Sequence, residues 1–127
     1  MSDKIKVELE YPIKTSTNVL YNCLSTPSGL SGWFADDVNI KNDNYIFFWD
    51  GSEETAKVLS KNNNTSIKFQ WEDDEGEDYF FEFAIKIDPI TKDVAVMITD
   101  FVEEDEVEEN KLLWDNQINE LKNKIGG

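Results

Sequence analysis

The sequence lacks the residues on which many catalytic and nucleic-acid sites depend. It has no histidine and no arginine, so all 12 of its basic residues are lysines. Without histidine it has neither the usual general base nor the commonest nitrogen ligand for metal ions. Without arginine it has no planar donor group matched to phosphates and guanine edges. These absences disfavour histidine-based catalysis, metal centres and nucleic-acid recognition.

Positive charge and long apolar runs are also scarce. Against 12 lysines stand 27 acidic residues, which gives a formal net charge of −15. Such a charge repels nucleic acids and anionic membrane surfaces. No stretch approaches the roughly 20 apolar residues of a membrane helix, and the segment MSDKIKVELEY lacks the apolar region of a secretory signal. We predict no nucleic-acid binding, no membrane insertion and a cytoplasmic location.

The length of 127 residues predicts one domain, residues 1–127. Hydrophobic residues make up 39%, aromatic residues 13% and charged residues 31% of the chain, which indicates a globular protein with a well-solvated surface. The single cysteine, Cys23, has no partner for an internal disulfide and no histidine to activate it. We expect it to be a small buried core residue.

The first two predicted elements are a strand and a short helix. In residues 4–11, apolar side chains at the odd positions alternate with lysines and glutamates, which is the period of a half-buried strand. In residues 16–25, apolar side chains recur at helical spacing behind Ser and Thr caps, and Pro27 ends that pattern. The chain therefore begins with a strand followed by a short helix.

Strands dominate the middle of the chain. Turn signals such as NDN, NNN and DDEGED divide it into about six further strands within four runs: DVNIKNDNYIFFWDG, TAKVLSKNNNTSIKFQWE, DYFFEFAIKID and DVAVMITDF. Parallel crossovers need a dozen or more residues, and these connections are shorter. The pattern therefore predicts an antiparallel meander.

A long helix is predicted from Glu104 to Ile125, where the pattern changes to helical spacing. Its first two turns are almost entirely acidic and its last turn carries Lys122 and Lys124, an arrangement that complements the helix dipole. The final GG closes the helix. At 1.5 Å per residue it would extend about 33 Å, enough to cross a seven-stranded sheet.

This order of elements describes a helix-grip architecture, and four segments carry a family resemblance: TPSGLSGWFADDV, FFWDGSEETA, IKFQWE and ITDFVEEDEVEENKLLWDNQINEL. They resemble the START-like family of small acidic bacterial proteins, in the superfamily of birch-pollen-allergen-like proteins, polyketide cyclases and activators of the 90-kDa heat-shock-protein ATPase. The resemblance implies an α+β fold. A curved antiparallel sheet of six to seven strands would wrap around the long C-terminal helix, with two short helices after the first strand. It does not imply one activity, because the superfold hosts several.

The candidate ligand-binding residues are aromatic and aliphatic side chains between sheet and helix. Related folds open there into an apolar cavity, with the adjacent rings of the polar loop LSTPSGLSGWFADDV expected at its mouth. The alternative is a core that these rings fill. The candidates are Trp33, Phe34, Ile67, Phe69, Trp71, Phe81, Phe83, Trp114 and Ile118.

Two acidic blocks, residues 72–78 and 103–109, have simpler explanations than metal binding. With Gly76 at the sixth position of a calcium loop, Trp71 would occupy the first position, where a carboxylate is required. The first block is therefore predicted to be a solvated hairpin tip. The second complements the helix dipole, and it could also dock a lysine-rich protein surface.

Catalysis is disfavoured by this inventory, and we predict no catalytic residue, cofactor or metal. Glu82 and Asp100 are the acids nearest to apolar strand runs, but alternation points Glu82 away from the aromatic face. The leading hypothesis is a non-enzymatic domain, monomeric or homodimeric, that binds a small hydrophobic molecule. The alternatives are an interaction module of the chaperone-ATPase-activator type, which would bind a basic protein surface, and a cyclase- or hydratase-type enzyme.

Overall fold

A computed structural model describes residues 4–126. Within these residues, seven strands, three α-helices and two 3₁₀ turns follow one another. In chain order the elements are β1 (Lys4–Pro12), α1 (Thr17–Ser25), α2 (Pro27–Leu30), β2 (Asp37–Lys41), β3 (Asn44–Trp49), β4 (Ser52–Asn62), β5 (Ser66–Trp71), a 3₁₀ turn (Glu72–Asp74), β6 (Phe81–Ile87), β7 (Val94–Glu103), a 3₁₀ turn (Glu104–Glu106) and α3 (Val107–Ile125).

All seven strands form one antiparallel sheet in the order β1-β7-β6-β5-β4-β3-β2. Strands β2 to β7 form the predicted meander, and β1 pairs with β7 along its whole length, from Lys4 opposite Glu103 to Pro12 opposite Ala95. The register of β4 against β5 shifts between Val58 and Ser60, and a bulge of this kind bends a strand. The predicted α+β helix-grip fold, with its curved sheet, long C-terminal helix and short helices after the first strand, is confirmed.

The core lies between the concave face of the sheet and α3. Alternating positions of neighbouring strands bury Phe47, Phe69, Phe83 and Ile98 completely. Helix α3 contributes Trp114, Ile118 and Leu121, which share one helical face because they are four and three residues apart. The Tyr11 hydroxyl of β1 also donates a hydrogen bond of 2.6 Å to Asp115 on α3. Burial raises the pKa of Tyr11, and the Asp115 carboxylate raises it further.

The two short helices are joined by a tight corner. Ser16 caps α1 by accepting from the backbone N–H of Val19. Thr26 caps α2 in the same way, by accepting from the backbone N–H of Gly29. Pro27 is the first residue of α2, where a missing backbone N–H costs no helical hydrogen bond. A Cβ atom at Gly29 would lie 1.9 Å from the carbonyl oxygen of Asn22, so only glycine fits there. Cys23 is buried at this corner, as the sequence predicts.

The predicted start of the long helix at Glu104 is wrong by one turn. Residues Glu104–Glu106 form a 3₁₀ turn, and α3 begins at Val107. Glu106 has φ −108° and ψ 6°, which lies outside the α-helical region and separates the two elements. At the other end Gly126 closes α3 in the left-handed conformation with φ 87°, while Gly127 lies outside the described residues.

Within residues 4–126, no helix combines the length and the apolar character needed to cross a bilayer.

Candidate functional site

Residues 31–36, between α2 and β2, insert Trp33 and Phe34 into the space between sheet and α3. Both residues are only 4% exposed. The Trp33 indole N–H donates a 2.9 Å hydrogen bond to the carbonyl oxygen of Cys23, and its ring lies 5.5 Å from that of Phe83. Trp33 is thus part of the packed core, and the loop is a folded insertion.

Phe34 is the centre of an aromatic cluster. Its ring is nearly parallel to those of Trp71 and Trp114, with centroid distances of 6.4 and 5.8 Å and interplanar angles of 14° and 16°. Its carbonyl oxygen accepts hydrogen bonds from the Trp49 indole at 2.9 Å and from the Gln117 amide at 3.0 Å. Backbone and side chain are therefore both held, and the rings fill much of the expected cavity.

Lys124, in the last turn of α3, holds the same segment from outside. Its ammonium group donates to the carbonyl oxygen of Ser28 at 2.6 Å and also to that of Ser31. The sequence explains Lys124 by the helix dipole alone. In the structure it also ties the helix end to the loop that carries Trp33 and Phe34.

The remaining space is a groove of about 400 Å³ beside Phe34, at one end of the sheet. Strands β3, β5 and β7 end here, and β4 and β6 begin here, because neighbouring strands of the meander run in opposite directions. Helix α3 forms the remaining wall. We call this space the aromatic groove; it is lined by Phe34, Trp49, Glu54, Trp71, Phe81, Asp100, Leu113, Trp114 and Gln117.

Asp100 is a half-buried acid in the wall of the aromatic groove. Its Oδ2 accepts from the Trp114 indole at 3.1 Å and from the Asn110 amide at 3.0 Å, and its Oδ1 accepts from the backbone N–H of Phe101 at 2.8 Å. Burial raises the pKa of Asp100, and these three donors oppose that rise. The Asp100 carboxyl group thus fixes the orientation of the Trp114 ring, and the carboxyl group itself lies next to the groove.

The predicted ligand residues divide into two groups. Phe34, Trp71, Phe81 and Trp114 line the aromatic groove. The others lie outside its lining and belong to the core cluster: Trp33, Ile67, Phe69, Phe83 and Ile118. This second group lies in a filled core, which is the alternative to an open cavity that the sequence allows. Whether the first group binds a ligand stays a prediction.

Five groove residues were not among the predicted ligand residues: Trp49, Glu54, Asp100, Leu113 and Gln117. Period-two alternation places Trp49 on the same strand face as Phe47. Glu54 is paired with Phe47 across β3 and β4, so it also points to the inner face. This pairing depends on the geometry of the turn at residues 50–51. The sequence indicates a turn there, but it does not fix which residues of β3 and β4 lie opposite each other.

A second groove of about 510 Å³ lies on the other side of Leu113, and three of its eight lining residues are glutamates. Glu103, Glu106 and Glu109 line it together with Lys4, which also lies 3.5 Å from Asp74 of the hairpin tip. We call it the acidic groove. It contains three of the six acids of the second acidic block. The block therefore lines this groove in addition to leading into helix α3.

Neither acidic block forms a metal site in the described part of the chain. Within residues 4–126 no group of three or more Asp, Glu or Cys side chains is arranged to hold a metal ion. In the hairpin tip every acid except Asp74 is exposed, in line with the prediction of a solvated turn. Glu82 pairs with Lys68 and Thr99 on the outer face of the sheet, away from the groove, as alternation predicts.

Comparison with known proteins places this geometry in a family. A family model described as a START-like superfamily domain matches residues 1–127. A protein from Bacteroides fragilis is 37% identical, with a TM-score of 0.68 over 96% of this chain and 91% of that chain. The structure of the Aha1 dimer from Colwellia psychrerythraea is 18% identical, with a TM-score of 0.78 over 95% of this chain and 96% of that one.

A third solved structure, of a protein from Bacillus halodurans, is 14% identical, with a TM-score of 0.75 over 98% of this chain and 99% of that chain. The similarities below 25% identity establish the fold alone. No curated protein matches the chain.

Proposed function

The chain belongs to the START-like superfamily, and from that premise we propose that it binds a small, mainly apolar molecule in the aromatic groove. The observation that carries this proposal is the groove itself. A volume of about 400 Å³ lies within the usual range for small-molecule sites, and rings form most of its lining. A few polar groups, among them Asp100 and Gln117, would fix the orientation of the bound molecule.

The packing around the groove supports a preformed site. Phe34 and Trp114 are held by hydrogen bonds as well as by ring contacts, so a ligand would meet fixed walls. A rigid site loses little conformational entropy on binding. The deeper space is occupied by Trp33 and its neighbours, so a large sterol-like or lipid-like molecule would not fit without displacing Phe34.

The test uses the neutral fluorescent probe N-phenyl-1-naphthylamine. We expect its fluorescence to rise saturably, with one site per chain. Leu113→Asp, at the groove wall, should weaken binding about threefold or more, because a charge replaces apolar contact area. The matched control is Leu112→Asp, since Leu112 is also exposed but does not line the groove. Equal effects of the two variants, or no saturable binding, would contradict the proposal.

Native mass spectrometry of protein purified from its own host would identify the natural ligand. A retained mass that disappears in Leu113→Asp would support the same site.

A second candidate function, an interaction module that docks a basic protein surface, is favoured by the acidic groove. Its three glutamates lie beside the exposed Leu113, which gives charge and apolar contact in one place. Such a surface would recruit a lysine-rich partner by electrostatic steering. The whole chain is acidic, so a polylysine column should retain it in any case. We expect Glu106→Gln/Glu109→Gln to elute at a lower salt concentration than Glu72→Gln/Asp73→Asn, which removes the same number of charges.

The Aha1 structure from Colwellia is a dimer, which makes a homodimer the first alternative to a monomer here. Sedimentation equilibrium distinguishes the two. A cytoplasmic location remains part of the proposal.

A further inference from the structure

The aromatic groove carries charge of one sign only. Glu54 lies at its rim and Asp100 in its wall, and its lining, all within residues 4–126, includes no lysine. We infer that the molecule bound there is an organic cation, with an apolar body and an ammonium-type group. This inference rests on the proposed function, because it names the chemical class of the ligand for the same groove.

The register of the sheet places Glu54 between two indole rings. Strand β4 pairs with β3 on one side and with β5 on the other. On the inner face Trp49 is a diagonal neighbour of Glu54, and Trp71 is paired with Ala56, two positions further along β4. The exposed carboxylate thus stands between two partly exposed indoles, at the entrance to the groove.

The two indoles form a corner. The Trp49 and Trp71 ring centroids are 6.1 Å apart and their planes are inclined by 57°. The face of an indole ring is electron-rich and attracts a cation within about 6 Å of its centroid. A positive group at this corner would contact two ring faces and remain close to the Glu54 carboxylate.

Trp114 brings a third indole to the groove, and its orientation is set by a negative group. Its N–H donates to Asp100, so this donor is already occupied and is not available to a ligand. A carboxylate accepting from an indole N–H also makes the ring more electron-rich. An anionic ligand would therefore find the Trp114 donor occupied. It would also meet two carboxylates.

The charge of the whole chain acts in the same direction. With a net charge of −15, the protein repels fatty acids and other anionic lipids and attracts cations from a distance. Apolar contact alone would accept neutral, anionic and cationic molecules of one shape alike. The groove therefore selects by charge as well as by shape.

The experiment compares three molecules of similar shape by calorimetric titration at fixed ionic strength: 4-hydroxyphenyltrimethylammonium, its neutral analogue 4-tert-butylphenol, and the anion 4-tert-butylbenzoate. The cation should bind at least about tenfold more tightly than the phenol, because it gains cation–π and carboxylate contacts. The benzoate should bind most weakly.

Glu54→Gln locates the effect. It should lower the affinity for the cation about threefold and that for 4-tert-butylphenol by less, since one exposed charge is lost. Glu53→Gln is the matched control, because it removes the same charge from the adjacent position, where alternation points the side chain to the outer face. It should lower the affinity for the cation much less than Glu54→Gln does.

The outcomes separate this inference from the proposed function. If the phenol or the benzoate binds as tightly as the cation, the charge inference is wrong and the groove remains a binding site. Failure of all three molecules to bind overturns both. If Glu53→Gln weakens cation binding as much as Glu54→Gln does, the cation is held by the overall charge and the assigned corner is wrong.

Discussion

The indole N–H of Trp114 donates a 3.1 Å hydrogen bond to Oδ2 of Asp100, which connects the middle of α3 to the end of β7. Both residues line the aromatic groove; Trp114 is buried and Asp100 is half-buried. The bond satisfies a buried donor and an acidic group that would otherwise be costly to bury. Helix position and groove shape therefore depend on the same contact.

Asp100 should make the stability of the protein pH-dependent. Its folded-state pKa is raised above the ordinary value of 3.8, so between these two values the folded state keeps a proton that the unfolded state releases. The contribution of Asp100 to the free energy of unfolding is therefore most favourable below this window and falls as pH rises through the folded pKa. Asp100→Asn should gain stability relative to wild type across that window, as measured by urea denaturation at several pH values.

The control for the pH experiment is Asp73→Asn, which removes a charge from the exposed hairpin tip. All acids contribute to general repulsion, so only the difference between the two variants isolates Asp100. Parallel pH profiles for both variants would show that the burial of Asp100 has no effect on stability.

Trp114→Ala should be among the most damaging single substitutions. The side chain is 4% exposed and packs against Phe34 and Phe83, with ring centroids 5.8 Å away in both cases. Loss of a buried tryptophan costs about 3–5 kcal/mol of unfolding free energy. Leu113→Ala, at the neighbouring and 55% exposed position, should cost less than about 1 kcal/mol. Chemical denaturation of both variants measures the difference, and a small loss at Trp114 would show that its pocket is open and loosely packed.

Phe34→Ala should join the aromatic groove to a new cavity in the core. We expect a loss of about 3–5 kcal/mol, because Phe34 contacts rings from the sheet and the helix and its removal leaves an apolar void. A void of that kind binds small aromatic molecules. Toluene should therefore raise the melting temperature of Phe34→Ala more than that of the wild type. An equal shift for both proteins would mean that the loop collapses into the space.

Salt should stabilise the protein. With 27 acidic residues against 12 lysines, repulsion between surface carboxylates is the dominant long-range electrostatic effect. It is screened as the Debye length falls to about 10 Å near 0.1 M salt. Melting temperature should rise equally with sodium and potassium chloride.

Calcium should add little beyond its ionic strength, since no acidic cluster within residues 4–126 is arranged as a cation site. A saturable micromolar calcium shift, abolished by neutralising Asp73, Asp74 and Glu75, would contradict this prediction.

The secondary structure and its order follow from the sequence because they depend on local periodicity. Alternation in residues 4–11, the helical spacing after Val107 and the short turn signals between strands each act over a few residues. They predict an antiparallel sheet and a long helix, and the family resemblance names the same fold. The sequence predicts the helix start one turn too early, because an acidic 3₁₀ turn and a first α-helical turn have the same composition.

The charge, the strands, the helices and the set of apolar side chains that build the core can all be read from the sequence. Which rings fill the interior and which face a groove depends on how the elements pack in three dimensions. Trp33 and Trp114 have the same exposure, yet Trp114 lines the groove and Trp33 does not. Glu54 joins Trp49 and Trp71 only through strand register, and Asp100 meets Trp114 only when α3 crosses the sheet. Contacts between distant segments depend on how whole elements pack, and local spacing carries no information about that.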